Sequence, residues 1–247
     1  MNERSSNSPP PTIAVVIPAF REEERIGETV RRVPPVAAHI IVIDDASDDQ
    51  TSARVRDIDD ARVKLVRHET NQGVGAAILR GYAEARALGA DIAVVMAGDG
   101  QMDPDDLPAL VAPIVRGEAD YVKGDRLRHA SVWREMPLHR LVGTATLAWA
   151  TRHAAGLPAL SDSQCGYTAI GARAMDCILR EGLWPRYGYP NDLIGTLSRH
   201  GYRIVEVMVK PVYRGEKSGL RAWHLFTIGY VVGRVAVRRM RAERPRA

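Results

Sequence analysis

Five short apolar runs, at 13–17, 40–43, 63–66, 92–96 and 121–123, alternate with segments whose apolar residues recur at helical spacing, and this alternation constrains the chain more than any other feature. IAVVI and IAVVM are aliphatic throughout, as strands buried on both faces are. Pro18 closes the first run. Segment 22–33 puts Ile26, Val30 and Val33 on one face, and 71–88 does the same with Ala77, Leu79, Tyr82, Ala83 and Leu88 before Gly89 offers a helix stop. A further helix is predicted over 105–116, behind Pro104. Strand and helix in alternation predict an α/β fold, a mostly parallel sheet with helices on both faces. The second half is less regular, with helices predicted over 137–155, 193–200 and 223–241 and extended segments over 167–170 and 204–209.

In such a sheet, ligands bind beyond the carboxyl ends of the strands. The loops after Ile17, Ile43, Val66 and Met96 are therefore the ones to read, and three carry clustered polar residues: PAFREEE, DDASDD and AGDGQMDP. Asp44 and Asp45 stand too early to cap the following helical run, unlike Asp48 and Asp49. Carboxylates at that edge suit ribose hydroxyls or a base N–H. In AGDGQMDPDD, Asp99, Gln101 and Asp103 alternate, which puts three oxygen donors on one side of an extended segment. Hard donors of this kind suit Mg2+ or Mn2+, commonly held by one or two carboxylates plus substrate phosphates. Asp103 also stands at the N-cap position of the helix behind Pro104.

Several classes are excluded. No GxGxxG follows the first strand, no GxxxxGK[ST] occurs, and there is no HExxH or Cys/His cluster. Two cysteines cannot build a disulfide framework. The start, MNERSSNSPPPT, lacks the basic and apolar regions of a signal peptide, and no run approaches the ~18 apolar residues of a spanning helix. Charge is uneven: residues 214–247 hold nine Lys or Arg against two Glu, while the rest is slightly acidic. A basic end joined to apolar residues between Trp223 and Val235 suits an anionic membrane surface. Nucleic acid is not expected as a partner.

The ordered set IPAFREEERI, VIDDASDDQT, NQGVGAAI, MAGDGQMDP and DSQCGYTAI resembles the inverting glycosyltransferases of family 2, and among them the dolichol-phosphate and polyprenyl-phosphate sugar synthases, over roughly residues 12–220. The resemblance implies a GT-A-like fold, a UDP- or GDP-linked sugar donor, Mg2+ or Mn2+, and a polyprenyl phosphate acceptor. It implies that Pro18, Ala19, Glu22 and Asp45 line the nucleotide pocket. Asp99 matches the second Asp of the family's DxD motif and Gln101 its metal-side Gln. Ala97 replaces the first Asp, with Asp103 placed to compensate. DSQCGY matches the acceptor-side loop, Asn191 and Asp192 an acidic position near the donor sugar, and Arg214, Lys217 and Ser218 a basic loop that closes on phosphates. Arg126, Arg128 and Arg140 are further phosphate ligands by residue type.

The expected catalytic set is Asp99, Asp162, Asp192 and Arg214, with Asp162 and Asp192 as base candidates should the acceptor be a hydroxyl. Two other readings stay open: a soluble hydroxyl acceptor, and a catalytically weakened nucleotide-sugar-binding protein, raised by Ala97. The expected organisation is a disordered lead-in at 1–11, one catalytic domain at 12–220, and a basic amphipathic helix at 221–247. That helix would rest peripherally on the cytoplasmic face of the membrane or pair two copies.

Overall fold

A computed structural model describes residues 9–132, 136, 138–212 and 222–243, with side chains left out at 138–140, 222–225 and 243. Seven strands form one sheet: β1 (Ile13–Ala19), β2 (His39–Asp44), β3 (Val63–Arg67), β4 (Ile92–Val95), β5 (Tyr121–Asp125), β6 (Thr168–Gly171) and β7 (Ile204–Met208). Their order is β3-β2-β1-β4-β6-β5-β7. All neighbours run parallel except β6, which is antiparallel to β4 and β5. Thr168 of β6 lies opposite both Val95 and Lys123. The loop entering β6 therefore emerges at the edge where β4 and β5 end. Sequence patterning located this strand but could not give its direction.

Alternation along the strands makes two apolar layers. On one face Ile13, Val15 and Ile17 pack with α1 (Ile26–Arg31), α2 (Thr51–Arg56) and α4 (Leu107–Val115). On the other face Ala14, Val16, Ile41 and Ile43 pack with α3 (Val74–Ala87), α5 (Leu138–Ala155), α6 (Ala172–Glu181) and α7 (Tyr189–Arg199). The last helix, α8 (Ala222–Glu243), lies over α5 and α7. It buries Ile228, Val231 and Val235, and Val235 joins the second apolar layer. The segment expected as a separate amphipathic helix thus shares the core of the sheet domain through one face. Its opposite face leaves Phe226, Tyr230, Val237 and Met240 exposed.

The α7–α8 contact depends on Gly195, where a Cβ would stand 2.4 Å from Val235 Cγ1. Gly195→Ala should lower stability by about 1–3 kcal/mol through overpacking against a stiff β-branched neighbour. Gly143 in α5 has nothing within 4 Å, so Gly143→Ala should instead gain up to about 1 kcal/mol of helix propensity. Urea unfolding of both variants checks the sign of each.

Candidate active site

The carboxyl ends of β1 and β2 are held by two buried aspartates. Asp44 accepts from the Ser47 N–H at 2.9 Å and from the Ser52 hydroxyl, and it pairs with Arg67 at 3.2 Å. Asp45 accepts from the Gln72 N–H at 2.9 Å and the Gly73 N–H at 2.7 Å, and lies 2.8 Å from His68 Nδ1. Asp45 stands at the expected edge, but its oxygens already grip the 68–73 segment. Its first task is to fix that loop. Pro18 and Ala19 contribute backbone, their carbonyls accepting from Gly98 and Asp45. The Glu22 N–H donates to Thr51 Oγ1. Among the described residues only Arg21 and Ala46 combine a side chain with positive φ, at 59° and 62°. Such strain, about 1–3 kcal/mol each, falls on this edge and marks it as a place where conformation serves more than folding.

Across the sheet, a cleft is lined by Asp99, Gln101, Arg126, Gly166, Tyr167 and Lys210, among others. Asp99 accepts from the Gln101 N–H at 3.0 Å, which brings the two residues together in one turn. Asp103 is engaged otherwise. Its carboxylate caps the 3-10 turn Pro104–Asp106 through the Asp105 N–H, pairs with Arg32 at 3.4 Å and approaches Lys210 at 3.9 Å. Among the described residues no three His, Cys, Asp or Glu gather into a metal cage. The cap expected of Asp103 is present, and two ion pairs accompany it.

The loop entering β6 is built on buried charge. Glu206 accepts from the Ser161 and Asp162 N–H groups at 2.7 and 2.8 Å. Asp162 is fully buried, accepts from the Gln164 and Cys165 N–H groups, and forms a two-pronged pair with Arg126 at 2.8 and 3.1 Å. Buried Lys123 donates to the Cys165 carbonyl. Burial alone pushes the Asp162 carboxyl up, but the Arg126 guanidinium outweighs it and holds the group below the ordinary carboxylate range. Burial raises Glu206 and lowers Lys123. Asp162 is therefore an anchor for Arg126 and the loop. It is not poised as a base.

Asp192 is likewise engaged within the fold. It lies inside the first turn of α7, behind Gly188 as N-cap, and is 2% exposed. One oxygen accepts from the Trp184 N–H at 2.8 Å, and the other takes Arg234 of α8 at 2.6 Å, with Arg238 at 3.6 Å. Two of the arginines read as membrane-facing thus bind a core carboxylate. Neighbouring Asn191 is buried and accepts from Thr151 Oγ1 and Gln164 Nε2.

Arg214, Lys217 and Ser218 lie outside the described residues, as does the Arg140 side chain. Arg128 is exposed beside Asp125 at 3.2 Å. Sequence reasoning passed over Lys123, Glu206, His68 and Lys210. The first two had a signal, since a charged residue interrupts each of the strands YVKGD and IVEVM.

The family model described as Glycosyl transferase family 2 matches residues 14–179. A UDP-N-acetylglucosamine--dolichyl-phosphate N-acetylglucosaminyltransferase of Methanococcus voltae is 30% identical over 216 residues, covering 81% of this chain and 86% of its own length. An undecaprenyl-phosphate mannosyltransferase of Micrococcus luteus is 30% identical over 211 residues, covering 82% and 84%. Glucosyl-3-phosphoglycerate synthase of Mycobacterium tuberculosis, crystallised with Mn2+, UDP-glucose and phosphoglyceric acid, superposes with a TM-score of 0.68 at 22% identity, over 96% of this chain and 81% of that one. This last likeness establishes the GT-A-like fold.

Asp162→Asn should cost about 3 kcal/mol, because Arg126 keeps its charge and loses its buried partner. The pair also sets a pH dependence. Asp162's folded value lies below the unfolded one, so its stabilisation is present above about pH 4 and drains away as pH falls through the lowered value. Glu206 and Asp125, both raised by burial, act oppositely and gain stability as pH falls. The check is therefore the difference between wild type and Asp162→Asn in denaturant midpoint. It should be large at neutrality and shrink below about pH 4.

Proposed function

The chain belongs to glycosyl transferase family 2, and on that premise we propose that it moves a hexosyl group from a UDP- or GDP-linked sugar to a polyprenyl phosphate with inversion. An acceptor phosphate oxygen attacks the anomeric carbon, the bond from that carbon to the diphosphate breaks, and the nucleoside diphosphate leaves. A phosphate monoester has a second pKa of about 6 and is largely ionised at neutrality, so it needs orientation and charge screening more than a base. The single observation that carries this choice of acceptor is the engagement of the two base candidates: Asp162 is paired with Arg126 and Asp192 with Arg234. A hydroxyl acceptor needs a carboxylate base, and both of the carboxylates placed for that role are engaged.

The residues present fit a divalent cation of the phosphate-bridging kind. Asp99 and Gln101 offer two oxygen donors in one turn and would hold it from the protein side. When bound, the cation neutralises charge growing on the leaving diphosphate. Arg126, fixed by Asp162 at the cleft wall, and Lys210 supply protein cations to the acceptor phosphate. Lipid access is supported by the outer stripe of α8, Phe226, Tyr230, Val237 and Met240, with exposed Trp149 and Val142 on adjoining α5. Arg241 on α8 adds an exposed cation. No helix among the described residues is long and apolar enough to cross a membrane; the contact proposed is a peripheral one through this stripe.

Incubation with labelled UDP- and GDP-sugars, undecaprenyl or dolichyl phosphate and Mg2+ or Mn2+ should move label into organic solvent. Label released only as free sugar, or transferred only to water-soluble acceptors, would overturn the lipid-phosphate assignment. Asp99→Ala should cut turnover by at least about a hundredfold while the thermal transition stays within a few degrees. Full activity in that variant or in excess chelator would remove the cation from the mechanism. Replacement of Phe226 and Met240 by Ser should abolish flotation with anionic vesicles and leave a soluble phosphate acceptor in use. A lipid-independent dimer lost in the same variant would assign the stripe to a second copy instead.

A further inference from the structure

The C-terminal helix reaches the nucleotide edge through a continuous set of contacts. Arg234 of α8 binds Asp192 at 2.6 Å and also stacks over the Trp184 ring, its guanidinium carbon 5.1 Å from the centroid. Tyr230, one turn earlier, packs on the same ring at 5.9 Å. Asp192 in turn accepts from the Trp184 N–H. Trp184 is thus held from three sides, by two residues of α8 and one of α7.

Trp184 begins the 184–188 connection, whose far side bears on the start of α3. The Pro185 carbonyl accepts from the Gly75 and Ala76 N–H groups at 2.8 and 3.1 Å. Arg186 donates to the Asn71 carbonyl and to Asn71 Oδ1 at 3.3 and 3.4 Å. The approach is so close that a Cβ on Gly75 would fall 2.0 Å from the Trp184 carbonyl oxygen, and one on Gly73 2.5 Å from that of Pro185. Asn71, Gln72 and Gly73 are the residues that bind Asp45 from the other side, through Asn71 Nδ2 and two backbone N–H groups. The 71–76 segment therefore lies between Asp45 and the 184–188 connection, and α8 anchors the latter.

We propose that α8 is part of the donor site: Arg234, acting through Asp192 and Trp184, positions the 71–76 segment against Asp45 and so sets nucleotide affinity. Arg234 is a positioning residue, since it reaches the pocket only through other groups. The inference rests on the reading of the Asp45 edge as the nucleotide pocket. It assigns the tail a role beyond membrane contact, and predicts that α8 cannot be altered at Arg234 without a change in donor binding.

The test uses the full chain as Arg234→Met, Arg234→Lys and Arg186→Ala, with UDP and GDP as calorimetric probes and amide exchange as a ligand-free readout. In Arg234→Met, the Kd of the nucleotide that wild type binds and the donor KM should rise roughly three- to thirtyfold, while kcat at saturating donor changes less than about twofold. Amides of Gln72, Gly73, Gly75 and Ala76 should exchange faster, with β1 and β4 unchanged. Arg234→Lys, which restores a charge opposite Asp192, should recover part of the loss. Arg186→Ala removes an exposed link that folding does not require, and should loosen the same amides even where Arg234→Met fails to fold. Unchanged affinity and unchanged exchange at 71–76 in a folded Arg234→Met or in Arg186→Ala would overturn the proposal. Faster exchange at 71–76 in a protein whose wild type binds neither UDP nor GDP would overturn its donor half, and the nucleotide reading with it.

Discussion

A carboxylate removed from water must be matched, and at the carboxyl edge of this sheet the matching builds the site. Asp45, Asp162 and Asp192 are each 3% exposed or less. Each accepts at least one backbone N–H from a loop, and each faces a cationic or imidazole side chain: His68, Arg126 and Arg234. Leaving any of them unpaired would cost several kcal/mol, so each loop has one favoured position. Asp45 sets 71–73, Asp162 sets the connection into β6, and Asp192 sets the connection into α7. The 71–73 loop follows parallel β3, and the antiparallel run of β6 between β4 and β5 brings the loop entering it to the same edge.

This use of acid has a chemical consequence. Carboxylates tied to guanidinium groups are poor bases, and the acceptor chemistry that suits such a site is one in which the nucleophile arrives already ionised. Arg126 then has two tasks. Its pair with Asp162 fixes the guanidinium plane, and the cleft wall it forms stands beside Lys210. Under the proposed reaction, preorganised charge of this sort would act on the attacking acceptor phosphate without rearrangement. Asp99 stays at the mouth of the same cleft, with its neighbour Gln101.

The sheet was legible because buried strands draw on short, largely apolar runs, and all five early runs became strands within a few residues of their expected ends. The polar clusters after those strands were legible too, and parallel pairing of β1, β2, β3 and β4 carries them to one edge of the sheet. Side-chain partners were not. Nothing local in NDLIG says that Asp192 meets an arginine 42 positions later. Nothing in DSQCGY says that Asp162 is met by Arg126 from β5's end and by Glu206 acting through the backbone. Such long-range pairs are settled by topology. Asp103 shows the opposite case: the cap its position offered is local, and the hydrogen bond from the Asp105 N–H is present. The arginines of α8 were read as surface charge because the sequence gives the helix's two faces but not what lies beneath them.

The most direct measurement is the pH dependence of kcat/KM for a polyprenyl phosphate in wild type, Asp162→Asn and Asp192→Asn. An acceptor that supplies its own charge gives a single rise with an apparent pKa of about 6, then a plateau, and the same midpoint in every variant that folds. A low-pH limb that tracks a protein carboxylate and disappears in one of the two variants would identify a base, and would contradict the assignment of both aspartates to structure.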